Sequence, residues 1–61
     1  MMDPTATLSI IRVLIKQIED TDGNAYVQLA DVADELAEHV KALDQWISNG
    51  GFLPVQWEPR K

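Results

Sequence analysis

Asp20 to Asp31 carries the densest set of oxygen donors in this 61-residue chain. Asp20, Asp22 and Asn24 stand at alternate places, Tyr26 offers a main-chain carbonyl, and Asp31 closes the run. Oxygens at that spacing suit a hard divalent cation, which a short turn can wrap. A second group with chemical potential is Asp34, Glu35, Glu38 and His39. On a helix these residues fall on a convex surface, whereas acid–base catalysis needs groups held in a cleft that perturbs them. The chain has no cysteine and one histidine, so thiolate zinc sites, disulfides and His-rich metal sites are excluded. Gly50-Gly51 follows an expected helix, whereas a phosphate-binding glycine loop precedes one. The expectation is a protein that is not an enzyme and carries no cofactor.

The run from Asp20 to Asp31 resembles the calcium loop of an EF-hand, which likewise lies between two helices. Val27 stands where that family takes an apolar residue. The run departs from the family at three places: Ala25 replaces the turn glycine, Asp31 replaces the bidentate Glu, and Glu19 precedes the loop where an aromatic is usual. The resemblance implies calcium as an alternative ligand. Without it, the same residues read as an acidic, turn-rich connector that binds no metal.

The elements that would hold these groups are two helices. Asp3 caps the first and Pro4 starts it, with Thr5 as an alternative cap, and the helix runs from about residue 4 to 19. Leu8, Ile11, Ile15 and Ile18 alternate spacings of three and four, a coiled-coil-like seam. Ile10, Val13 and Leu14 widen the apolar arc beyond what one neighbouring helix can cover. A turn over about 20–25 leads into a second helix, about 26–49, whose cap is Asn24 or Asp31. Leu29, Val32, Ala33, Leu36, Val40, Leu43 and Ile47 share one of its faces, and Asp31, Asp34, Glu35, Glu38, Lys41 and Gln45 line the solvated one. Gly50-Gly51 supplies a left-handed helix end. The tail, 50–61, is apolar from Phe52 to Trp57 and is expected to fold back over the open end of the hairpin. Trp46, Phe52, Leu53 and Trp57 read as a plug for that end, or alternatively as an interaction surface. Residues 58–61 are expected to fray.

Size and charge narrow the function. A chain this short buries only about 60% of its unfolded surface and needs a further source of stability. With disulfides and thiolate or His-rich metal sites excluded, the remaining routes are association with another chain or a hard metal held by oxygens. Ten acidic against five basic residues give a formal charge of -5, which disfavours direct binding to nucleic acid or anionic lipid. The N-terminus has no signal-peptide pattern, and the apolar cluster Leu8–Ile18 is interrupted far short of a membrane span, so a cytoplasmic protein is expected.

Asp31 to Val40, continuing from Ala42 through Trp46, Gly50-Gly51-Phe52-Leu53-Pro54 and Trp57, is similar to a small family of proteins from phages of actinobacteria. Gln45 and Ile47 are mild departures. The resemblance implies a phage origin and a helical hairpin, and it carries no mechanism.

The expected architecture is all-α: one domain, 1–61, an antiparallel helical hairpin with a folded-back tail, pairing into a homodimeric four-helix bundle. The expected function is a protein–protein interaction module acting on a host or phage protein, with Ile10, Val13, Leu14, Trp46, Phe52 and Trp57 as contact residues. A divergent calcium-binding helix–loop–helix and an acidic mimic of nucleic acid are the alternatives.

Overall fold

A computed structural model of the chain describes residues 2–58. It contains α1 (Pro4–Asp20), α2 (Tyr26–Ser48) and a single 3-10 turn (Val55–Trp57), with no strand among the described residues. The short connection folds α2 back along α1, so Leu8 near one helix start meets Leu43 near the other helix end. Leu8, Ile11 and Leu43 form the buried cluster, with Met2, Leu36 and Ile47 packed against it. Expectations for Pro59, Arg60 and Lys61 lie outside the described residues.

The start of α1 follows local chemistry. The Asp3 carboxylate accepts from the amides of Thr5 (3.0 Å) and Ala6 (3.2 Å), and Pro4 occupies the first turn. Thr5 does not cap the helix; its hydroxyl binds the tail instead. The helix runs one residue past the expected Glu19 and stops where Thr21 turns extended, its amide and hydroxyl taking the carbonyls of Ile18 and Gln17.

The start of α2 differs from expectation. Ala25 is the N-cap and contributes no side-chain bond, whereas Asn24 or Asp31 was the expected cap. The turn is held by Asp22, whose carboxylate accepts from Asn24 N–H (3.1 Å) and whose carbonyl accepts from Ala25 N–H (3.0 Å). That local bond fixes the chain one residue before the helix begins, and Asp31 lies inside α2.

The far end of α2 closes in a Schellman arrangement. Gly51 N–H donates to the Trp46 carbonyl (2.8 Å), Gly50 N–H to that of Ile47 (3.0 Å), and Gly50 takes φ 90°, which a Cβ resists.

Three expected stripe positions, Ile15, Ala33 and Val40, are exposed. Ile15, placed in the seam by its spacing, is exposed, while Leu14 is buried. The buried residues of α1 are Pro4, Leu8, Ile11 and Leu14, and Ile15 lies one turn past the core of Leu8, Ile11 and Leu43. Val40 is likewise exposed at the rim of the α2 stripe.

Candidate protein-interaction site

Two helices side by side form a plate 15 Å in its smallest extent and 42 Å in its longest. A plate of one helical layer covers each helix from one direction, and the opposite flanks stay open. On α1 the open flank carries Ile10 (43% exposed) and Val13 (56% exposed). These residues and Gln17 follow each other at three and four positions, so they stand in one row on α1.

The row borders two adjoining depressions that share Val13 and Gln17. One, of about 360 Å³, is lined by Ser9, Ile10, Val13, Leu14, Gln17 and Glu35. The other, of about 370 Å³, lies nearer the turn and is lined by Val13, Lys16, Gln17, Asp20, Thr21, Gln28 and Val32. Together they make a shallow groove, apolar at its centre, with polar and charged groups along its edges. Leu14 was expected to meet a partner. At 5% exposure it forms part of the groove floor, and its side chain is already covered by the hairpin.

The tail builds a second surface. Trp46, half-buried, donates its indole N–H to the Phe52 carbonyl (2.9 Å) and stacks edge-on with the Phe52 ring, centroids 5.3 Å apart. The indole lies so close over Gly51 that a Cβ there would run into it. Beyond this anchor, Pro54 is fully buried, Val55 N–H donates to the Thr5 hydroxyl (3.1 Å), and the Gln56 amide reaches the Thr5 carbonyl and the Ser9 hydroxyl. The tail thus straps the end of α2 to the start of α1.

The plug differs from expectation in its parts. Pro54 is the buried residue, while Phe52 is 61% and Trp57 45% exposed, and Leu53 and Val55 also face outward. The bonds that order the tail go through its backbone and Gln56, which leaves the large apolar side chains free. Trp57, Val40, Leu43, Asp44 and Ile47 line a third depression of about 260 Å³.

The candidate cation ligands are not brought into one loop. Asp20 ends α1, where its carboxylate pairs with Lys16 (3.7 Å), and Asp22 serves the turn. Tyr26 and Asp31 belong to α2, where main-chain carbonyls accept helical bonds. Ala25 keeps a negative φ, so the backbone omits the turn for which the EF-hand family uses glycine. Among the described residues no three His, Asp or Glu side chains gather into a metal-binding group. Asp31, Asp34, Glu35 and Glu38 are exposed, and His39 is half-buried. No helix among the described residues is long and apolar enough to cross a membrane.

The chain matches no family model, and no curated protein or solved structure is significantly similar to it.

Proposed function

We propose that this chain is a non-enzymatic protein–protein interaction module that pairs with a second copy of itself into a four-helix bundle. The observation that carries this reading is the row of exposed Ile10 and Val13 beside an apolar groove, on a helix whose adjoining face is already packed. An exposed valine or isoleucine alone is ordinary, but a row of them bordering a groove is a surface suited to another helix.

The tail supports a further role for the assembled module. Phe52 and Trp57 are held outward on a segment ordered by a buried proline and several hydrogen bonds. Rigid, exposed aromatics suit contact with another protein, because little freedom is lost when they bind. On the expectation of a phage origin, that second partner would be a host or phage protein, in the cytoplasm of the host.

The test is sedimentation equilibrium of the intact chain beside Val13→Glu. The wild type is expected as a dimer at micromolar concentration, and the variant, with a charge forced into the contact, as a monomer that keeps its helical circular dichroism. Equal masses for the two chains would remove the α1 flank from the interface.

A further inference from the structure

Resting on the self-pairing reading, we infer that the two copies meet antiparallel along α1, with Ile10 of each chain level with Val13 of the other. Ala6, Ile10, Val13 and Gln17 recur at spacings of four, three and four, a short coiled-coil seam. It is offset by two residues from the buried line Pro4, Leu8 and Ile11, and the buried Leu14 lies between the two lines, so the seam stands beside the packed face of α1 and borders the groove against α2. All four residues of the outward seam are exposed.

The area argues for a second copy as the occupant. The chain, ends included, exposes 4782 Å², whereas a compact monomer of its mass exposes about 4,000 Å². The surplus, roughly 800 Å², is about what each partner buries in an interface of standard size. The radius of gyration agrees in direction, at 13.4 Å against about 10.5 Å for a compact chain of this length.

Orientation follows from what lies along the seam. A parallel pair would set Gln17 against Gln17, two long side chains at one level, and Ala6 against Ala6, two small ones. It would also bring both tail straps, fastened at Thr5 and Ser9, to the same end of the contact. The antiparallel pair puts Gln17 opposite the small Ala6, where a long side chain has room, and sends the straps to opposite ends. Its centre is two layers of Ile10 on Val13.

The chain has no cysteine, so the test is disulfide trapping with single variants. Ile10→Cys and Val13→Cys are mixed in equal amounts and oxidised gently, with the mass of the unmodified chain measured separately by sedimentation. The inference expects the mixed product, which links one variant to the other, to exceed both self-linked products by severalfold. Self-linked products dominating would overturn the orientation, and a sedimenting dimer in which neither kind of link forms would overturn the choice of face. A wild-type chain that sediments as a monomer would instead overturn the self-pairing reading beneath it. Because cysteine at either position weakens the central layers, a nitroxide on Asp20→Cys, at the far end of the seam, gives a second readout. The antiparallel pair places the two labels about 25 Å apart along the axis, and a separation of about 10 Å would contradict it.

Discussion

At Gly51 an added Cβ would run into the Trp46 indole, so Gly51→Ala must push the ring off the tail or the tail off the ring. Either movement breaks the indole bond to the Phe52 carbonyl. The expected cost is about 1–3 kcal/mol, the usual range for forcing atoms into a packed site. The Trp46 indole proton should exchange faster with solvent in a proton NMR experiment, and an unchanged rate would show that the ring is not held this way. Asp3 acts at the same strapped end, on the α1 side. Asp3→Ala removes two bonds to first-turn amides and is expected to cost about 1 kcal/mol. Thermal melting should register this as a drop of about 4–8 °C. The Lys16–Asp20 pair is a weaker candidate: both side chains are largely in solvent, where such pairs contribute little.

At the scale of elements, Asp22 and Thr21 hold the turn between α1 and α2, and the Asp22 carboxylate is engaged by the Asn24 amide. Calcium added at millimolar concentration is therefore expected to release no binding heat and to leave the melting temperature unchanged. A saturable heat signal with a raised melting temperature would restore the calcium reading. The elements were unevenly legible in the sequence. Asp3-Pro4 and Gly50-Gly51 mark helix ends through chemistry that acts within a few residues, and both operate as their types suggest. The start of α2 was hidden because Ala25 carries no capping group, while Asn24 and Asp31 advertise one. Leu14 and Ile15 differ by one helical step, and both fit an apolar stripe, so spacing alone could not say which one α2 covers. The tail differs in its parts because hydrophobicity ranks Phe52 and Trp57 as the natural plug. What places Pro54 inside is a set of bonds from Val55 and Gln56 to Thr5 and Ser9, some fifty residues away, and no local pattern announces them. The candidate site shares this unevenness. Ile10 and Val13 were visible as surplus on α1, and Leu14 was grouped with them although the hairpin itself covers it.

For the whole molecule, the governing fact is geometric. A hairpin is one layer thick, and its small core of Leu8, Ile11 and Leu43 leaves apolar side chains on both flanks. Burying them in water-free contact contributes about 25 cal/mol per Å² of apolar area, a large addition for a chain whose own core is so limited. Folding and association should then be coupled, so the melting temperature is expected to rise with protein concentration. The acidic surface limits this association to arrangements that keep like charges apart, which again favours an ordered pair over open aggregation. Sedimentation equilibrium of the unmodified chain across the micromolar range tests the central claim most directly. A mass of twice 6.9 kDa is expected. A single species of 6.9 kDa at every concentration, melting cooperatively at a concentration-independent temperature, would contradict it.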